Sequence, residues 1–169
     1  MLNQAKRLIK MIERTFVMLK PDAIQRSLAG EIISRIEKTG LKIVGMKMMW
    51  IDNAFSKKHY SAHVDKKFYK GLEEFITSGP VMAMVIEGIS AVAIVRKLVG
   101  ATEPHSAVPG TIRGDFAHHS YSYTDKKGIA MKNLIHASSD PKDAKKEIEL
   151  WFSSDELHTY RTVHEIHVL

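Results

Sequence analysis

Apolar residues fall into short runs that alternate with stretches of helical spacing. Arg14–Leu19, Leu41–Ile51 and Val81–Ile86 are compact, mostly apolar runs. Such runs, bounded by Pro, Gly and Asp, are typical of strands. Leu134–Ser138 predicts a fourth, shorter strand. The second run contains several methionines and a tryptophan, and we interpret them as part of a core strand and not as a ligand-binding patch.

Helical spacing predicts five helices between and after these strands. They are Gly30–Lys38, a helix that begins at Asp52-Asn53 and reaches about His63, Tyr69–Thr77, Ser90–Leu98 and Pro141–Phe152. Asp or Asn at the start of the second helix can accept the first free N–H groups. Either Asp140 or Ser139 could cap the last helix in the same way.

Two stretches carry no helical period. Ala101–His119 contains two prolines and two glycines and predicts a long loop, a feature that is often functional inside a compact domain. Tyr121–Met131 alternates on both sides of Asp125–Gly128, and this pattern predicts an extended hairpin.

The order of these elements predicts an α+β fold. Four strands interleaved with helices fit a ferredoxin-like split βαβ arrangement, a four-stranded antiparallel sheet covered by helices on one face. A chain of 169 residues fits a single domain over residues 1–169, with Met1–Ile12 as an N-terminal extension.

Composition narrows the chemistry and the compartment. The absence of cysteine excludes disulfides and thiolate chemistry. No apolar run reaches the roughly 18 residues of a membrane helix, and no signal peptide is evident, so we expect a cytoplasmic protein without a membrane partner. A net charge of +6 attracts polyanions in general, and the scattered lysine pairs are best explained as solvated surface.

His136 is the first candidate for chemistry. At the end of a strand, one ring nitrogen can be free while a carboxylate orients the other, and this makes imidazole a nucleophile. Glu147, on the following helix, could be that carboxylate. The chain has nine histidines, and a single one is more often structural, so position alone leaves both interpretations open.

Lys20, Arg96 and Arg113 form a second candidate set, because each lies near the end of an element. Phosphoryl transfer needs cations that hold the transferred group, and the planar guanidinium matches phosphate oxygens. Thr102 and Asn133 could add neutral donors. Three unrelated surface cations are the alternative.

Aromatic and histidine pairs complete the candidates. Tyr60 and Phe68 could hold a base or simply pack a helical corner. The pairs His118-His119 and His164/His167 lack a cysteine or carboxylate at fixed spacing, so we assign no metal ligands to the protein. No Walker-type or Gly-rich phosphate loop is present.

Taken together, these residues resemble the nucleoside diphosphate kinase family, over about residues 13–152. The strings that carry the resemblance, in the family's order, are Glu13–Phe16, Leu19–Asp22, Gly30–Ile33, Leu41–Gly45, His59-Tyr60, Thr77–Val81, Glu87-Gly88, Val95–Thr102, Pro109–Phe116 and Asn133–Ser138.

The resemblance implies a ping-pong reaction in which a nucleoside triphosphate phosphorylates His136 and a nucleoside diphosphate then takes the group. It implies that Glu147 and Ser138 support the imidazole. Phosphates and sugar would be held by Lys20, Tyr60, Arg96, Thr102, Arg113 and Asn133, and Phe68 would stack on the base. The resemblance also implies Mg²⁺, held mainly by the nucleotide phosphates.

The chain departs from the usual family pattern at three places. Ala137 follows the candidate nucleophile where many members have Gly, and Asp140 lies one position later than the usual Asp. About ten extra residues around Tyr121–Met131 resemble an insertion of archaeal forms. The resemblance implies a homohexamer, with the loop Thr102–Arg113 contributing to assembly.

Two other functions are compatible with the residues alone. The positive charge would suit a non-catalytic nucleic-acid-binding module, whose affinity should fall steeply with salt. A structural family member without activity is the other. The presence of every candidate catalytic residue argues against that second reading.

Overall fold

The computed structural model describes residues 11–163 and 165–168. Met1–Lys10 of the predicted N-terminal extension and His164 lie outside the described residues. The strands are β1 (Ile12–Leu19), β2 (Lys42–Met49), β3 (Val81–Ile89) and β4 (Ile135–Ala137). All four predicted strands are therefore present, with ends that differ by a few residues.

The helices in the described parts of the chain are α1 (Pro21–Gln25), α2 (Ala29–Glu37), α3 (Asn53–His59), α4 (Tyr69–Ile76), α5 (Ala91–Val99), α6 (Ile112–Phe116), α7 (Tyr121–Lys127), α8 (Pro141–Trp151) and α9 (Glu165–Val168). Short 3₁₀ turns cover Ser61–His63, Pro104–Ser106 and Ser154–Glu156. Asp52 accepts the Phe55 N–H at the start of α3, and Asp140 accepts the Asp143 N–H at the start of α8, as predicted. Across the described residues, every helix is too short or too polar to cross a membrane.

The sheet is antiparallel throughout, with the strand order β2-β3-β1-β4. This order and the helical crossovers confirm the predicted ferredoxin-like α+β fold. Strand β1 is central, and its register places Met18 opposite His136 on β4. The end of β1 and the single strand β4 therefore lie side by side at one edge of the sheet.

Helices cover both faces of the sheet, and the prediction of one covered face is wrong. Side chains alternate along β1, so Phe16 and Met18 point to one face while Val17 and Leu19 point to the other, and all four are fully buried. One apolar cluster packs α2 and α5 against the sheet, and the other packs α3, α4 and α8. Only a helix layer on each side can bury both sets.

The methionine-rich part of β2 is not the core strand that the apolar run predicts. Met46 and Met48 are exposed, and Trp50, which follows the strand, is 68% exposed. In the described residues β2 pairs only with β3, so it is an edge strand, and alternate side chains point away from the core. Val44, one of the inward residues, is buried as expected.

The prediction of an extended hairpin over Tyr121–Met131 is also wrong, because this segment contains helix α7. Ser120 accepts the Tyr123 N–H at the helix start, and Gly128 ends the helix with a φ of 62°. Ser at the N-cap and Gly just past the end are common helix signals, and they outweigh the alternation. The predicted loop Ala101–His119 likewise contains α6, which Thr111 caps by accepting the Gly114 N–H.

Candidate active site

The backbone just before β4 has an unusual conformation that buried polar groups hold in place. Leu134 has a φ of 70°, in the left-handed region that costs a side-chain-bearing residue roughly 1 kcal/mol or more. Its N–H donates to Asp22 Oδ2 at 3.1 Å, and its carbonyl accepts the Lys20 N–H at 2.8 Å. This bend joins the start of β4 to the end of β1, and it determines where Asn133 and His136 point.

His136 is oriented by a carboxylate. Its Nε2 lies 2.7 Å from Glu147 Oε1, and the second oxygen of that carboxylate accepts the Ser138 hydroxyl at 2.6 Å. Ser138 is itself buried and accepts the Phe16 N–H at 3.1 Å, so α8 and β1 both hold the pair. When Nε2 donates its proton to Glu147, the lone pair remains on Nδ1, which is the nitrogen able to act as a nucleophile.

A second histidine, His59, packs behind His136, with ring centroids 4.8 Å apart and an interplanar angle of 81°. One nitrogen of each ring and a Glu147 oxygen lie within 4.8 Å of one another, the only group of this kind among the described residues that could hold a metal. However, Trp151 Nε1 donates to His59 Nδ1 at 3.1 Å, so the Nε2 of the neutral ring carries the proton. Burial and nearby His136 lower the pKa of His59 well below its usual value, which keeps the ring neutral.

Lys20, Asn133 and Thr102 form a chain of hydrogen bonds next to His136. Lys20 Nζ donates to Asn133 Oδ1 at 2.8 Å, and Asn133 Nδ2 donates to the Thr102 carbonyl at 2.8 Å. Burial, together with the charge of Arg113, lowers the pKa of Lys20 to about 8, while the neighbouring Asp22 opposes that change. Burial also raises the pKa of Asp22. The Lys20 ammonium therefore lacks full compensation within the protein, and it is a strong site for an anion.

Arg113 donates hydrogen bonds to two backbone segments, residues 100–101 and 133–135, and keeps one N–H donor free. Its Nε donates to the Asn133 carbonyl at 3.1 Å and its Nη2 to the Ile135 carbonyl at 2.6 Å. Its Nη1 donates to the carbonyls of Gly100 and Ala101 at 3.1 and 3.2 Å. Since a guanidinium has five N–H donors, about one remains for a ligand. Burial and the charge of Arg96 lower the pKa of Arg113 to about 10, so it stays charged at neutral pH.

A cavity of about 410 Å³ opens beside these groups, within the size range of ligand sites. Arg96, in the last turn of α5, lines it and makes no hydrogen bond or ion pair with another side chain in the described residues. Lys20 and Arg113 line the same cavity. Three cations thus converge on a space that also reaches His136, which is the arrangement that a phosphate chain needs.

The two candidate aromatic residues have different environments. Tyr60 is buried, its hydroxyl has no partner in the described residues, and burial raises its pKa. Its O–H therefore remains protonated and can donate to a ligand in the cavity. Phe68 lines the cavity and is 56% exposed, so part of its ring is accessible for stacking.

The structure brings together the ten site residues that the family resemblance implies, whereas His118 and His119 lie outside the cavity lining and His164 lies outside the described residues. Those that line the cavity are Lys20, Tyr60, Phe68, Arg96, Thr102, Arg113, Asn133 and His136. Glu147 and Ser138 lie behind the His136 ring. Sequence reasoning missed Asp22, His59 and Trp151, which hold the site from behind. Asp22 lies directly after Pro21 at the end of a buried strand, and both Asp22 and His59 occur in strings that carry the family resemblance, whereas Trp151 does not.

Comparison with known proteins identifies the family to which the chain is similar. A family model described as nucleoside diphosphate kinase matches residues 13–157. The chain is 50% identical over 155 residues to a nucleoside diphosphate kinase of Archaeoglobus fulgidus, covering 91% of this chain and 95% of that one.

Solved structures give the same match in three dimensions. A transition-state mimic of nucleoside-diphosphate kinase from Borrelia burgdorferi, with bound vanadate and ADP, has a TM-score of 0.89 and 41% identity, covering 92% of this chain and 96% of that one. A halophilic nucleoside diphosphate kinase from Halobacterium salinarum in complex with CDP has a TM-score of 0.83 and 46% identity, covering 93% and 98%.

Proposed function

The chain belongs to the nucleoside diphosphate kinase family, and we propose that His136 is the residue through which it works. The enzyme transfers the γ-phosphate of a nucleoside triphosphate to a nucleoside diphosphate by a ping-pong mechanism with a phosphohistidine intermediate. The observation that supports His136 is its hydrogen bond to Glu147 at the wall of a cation-lined cavity. That bond leaves the lone pair on Nδ1.

In the first half-reaction, Nδ1 of His136 attacks the γ-phosphorus. The N–P bond forms while the bond from phosphorus to the β,γ-bridging oxygen breaks, and the nucleoside diphosphate leaves with that electron pair. Positive charge on the imidazole ring is balanced by the Glu147 carboxylate, which Ser138 holds in place. The second nucleoside diphosphate attacks the phosphohistidine along the reverse path.

The remaining cavity residues hold the nucleotide. Lys20, Arg96 and Arg113 would contact the phosphates, because negative charge spreads over the phosphate oxygens during transfer. Tyr60, Thr102 and Asn133 would add neutral donors to phosphate or sugar. Phe68 would stack on the base, a contact that every base can make.

Magnesium would enter as part of the nucleotide substrate. The ion prefers oxygen ligands, and Asp125 is the only carboxylate among the described residues that line the cavity. The described lining therefore lacks the several carboxylates that would coordinate the ion. We propose that the nucleotide phosphates hold the ion, and that the ion neutralises part of the phosphate charge.

We also propose that residues 1–169 form one domain of a cytoplasmic homohexamer, with the loop 102–113 contributing to assembly. In the described chain this loop includes the 3₁₀ turn Pro104–Ser106 and the start of helix α6. Sedimentation at several concentrations tests the hexamer. A single species of the mass of a monomer, dimer or tetramer would contradict it.

Intact mass after incubation with ATP and Mg²⁺ tests the proposed nucleophile. We expect a gain of one phosphoryl group that is acid-labile and disappears when GDP is added. His136→Ala should show no gain, while His59→Ala, the neighbouring ring, should still become phosphorylated. Phosphorylation of the folded His136→Ala protein, or none of the wild type, would contradict the assignment.

A further inference from the structure

The inserted segment forms one wall of the nucleotide cavity. Tyr121, Thr124 and Asp125 of helix α7 line the cavity, and so do Ile129, Ala130 and Met131, which follow it. Phe68 and Leu72 of the α4 region also line the cavity. The inserted segment therefore shapes the site itself and does not merely add surface.

One hydrogen bond joins this wall to the segment that follows Thr102, and local hydrogen bonds hold helix α7 itself. The Tyr121 N–H donates to Glu103 Oε1 at 2.8 Å, and Glu103 directly follows Thr102. Thr124 is buried, and its hydroxyl donates back to the carbonyls of Ser120 and Tyr121. After the helix, the Ile129 N–H donates a hydrogen bond to the Thr124 carbonyl at 3.1 Å. Such anchoring gives the side chains of α7 defined positions.

Helix α7 runs from the phosphate end of the cavity toward its mouth. At its start, Tyr121 is close enough to Arg113 to act on the pKa of that guanidinium. At its far end, the chain meets α4, where a Cβ at Gly71 would lie 3.7 Å from the Ala130 nitrogen. Phe68 lies at the start of α4, so the far end of α7 faces the position proposed for the base.

The mouth of the cavity has open apolar surface on both sides. Phe68 is 56% exposed, Ile129 44% and Tyr121 49%. A nucleoside placed between them would cover part of all three. Exposed apolar side chains that line one cavity fit a flat ring system that enters there.

Asp125 adds the one negative charge to this wall. It lies one helical turn after Tyr121, on the same face. The other charged residues that line the cavity in the described chain, apart from histidine, are the cations Lys20, Arg96 and Arg113. The Asp125 carboxylate makes no hydrogen bond or ion pair in the described residues, so both oxygens are free acceptors. A carboxylate repels phosphates but accepts N–H donors well.

We propose that Asp125 recognises the base of the nucleotide and makes the site prefer guanine. This inference rests on the proposed nucleotide site. Guanine presents adjacent ring N–H and amino donors, which match the two oxygens of a carboxylate. Adenine and cytosine offer one amino group beside an acceptor nitrogen. Thymine offers one N–H between two carbonyls, which repel a carboxylate.

The test is the rate at which deoxynucleoside diphosphates remove the phosphoryl group from phosphorylated enzyme. Deoxy forms exclude the 2′-hydroxyl as the donor. We expect Asp125→Asn to lose roughly tenfold in kcat/KM for dGDP and less than about threefold for dTDP, as a matched pair of hydrogen bonds to a base predicts. Lys126→Gln, on the same helix but outside the cavity lining, is the control and should change neither rate.

An equal loss for dGDP and dTDP would overturn the proposal, because it would place the carboxylate on sugar, phosphate or metal. Unchanged rates for both would overturn it as well. Either failure is distinct from failure of the nucleophile assignment, because phosphorylation of the wild-type and Asp125→Asn proteins is measured first by mass. Thermal unfolding of each variant shows whether the fold is kept.

Discussion

The cavity has an end proposed to hold the phosphates and an end proposed to hold the nucleoside, and the side chains at these two ends differ in burial and in hydrogen bonding. At the phosphate end, Lys20, Arg113 and Asn133 are at most 8% exposed, and hydrogen bonds to backbone or to one another hold each of them. At the nucleoside end, Phe68 and Ile129 are about half exposed, and their side chains offer only apolar contact. Groups that stabilise a transition state must be oriented before the reaction, whereas stacking of a base requires only an accessible apolar surface.

This comparison separates two kinds of variant. Changes at the phosphate end should lower kcat and, where backbone carbonyls lose their donors, stability as well. Changes at the nucleoside end should raise KM and leave kcat nearly constant.

The largest effect is expected for His136→Ala, which removes the proposed nucleophile at the phosphate end. Turnover should fall by about 10⁴-fold or more, as for other lost nucleophiles. The melting temperature should change little, because the side chain is partly exposed. Steady-state transfer from ATP to GDP measures the loss. Turnover within tenfold of wild type would assign the chemistry to another residue.

Arg113→Met and Arg96→Met form a matched pair. Both remove a cation from the cavity, but only Arg113→Met also removes hydrogen bonds to backbone carbonyls. Both should lower kcat by roughly 10²- to 10³-fold. Arg113→Met should also reduce the free energy of unfolding by about 3 kcal/mol, since four backbone carbonyls lose a buried donor. Arg96→Met should change it by less than about 0.5 kcal/mol. Urea unfolding measures the free energy of unfolding of both variants. Equal values would show that the Arg113 hydrogen bonds do not stabilise the fold.

Glu147→Ala should leave weaker but measurable activity, because the carboxylate orients His136 without reacting itself. We expect kcat to fall by roughly 10- to 100-fold. Glu149→Ala, on the same helix and exposed, serves as the control and should be near wild type. If Glu147→Ala had unchanged kinetics, its supporting role would be refuted.

The pH dependence should report on Lys20. Its lowered pKa of about 8 means that the ammonium form is present below pH 8 and is lost as the pH rises through that value. Since phosphate binding needs the charged form, kcat/KM should fall above about pH 8, by up to tenfold for each further unit. The profile for wild-type enzyme at saturating Mg²⁺ measures this fall. If kcat/KM stayed constant up to pH 9.5, the pKa of Lys20 would be higher than its burial implies.

The smallest effect is expected at the nucleoside end, for Phe68→Ala. Loss of one stacking face should raise KM by roughly tenfold or less for every base, while kcat stays within about threefold. Val64→Ala, an exposed apolar residue outside the cavity lining, is the control. A large fall in kcat would contradict the separation of the two ends, because it would give the base wall a part in the chemistry.

Most of the fold could be predicted, because its signals are local. Compact apolar runs marked the strands, and helical spacing with Asp52 and Asp140 as caps marked two of the helices. Helix α7 was missed because alternation over a few residues is a weak signal, whereas Ser120 and Gly128 act through defined backbone hydrogen bonds and φ. The exposure of Met46 depends on β2 being an edge strand, which strand order alone decides.

By itself, the sequence determined the four-strand fold class, the family resemblance and the set of candidate site residues, since these depend on residue type, order and local periodicity. Only the tertiary structure showed that Asp22 holds the left-handed Leu134, that Trp151 sets the proton of His59 and that Arg113 binds four carbonyls. These contacts join residues far apart in the chain, such as Asp22 and Leu134, 112 positions apart. No local pattern in the sequence indicates these contacts, because they form only when distant segments pack together. The burial that lowers the pKa of Lys20 arises in the same way.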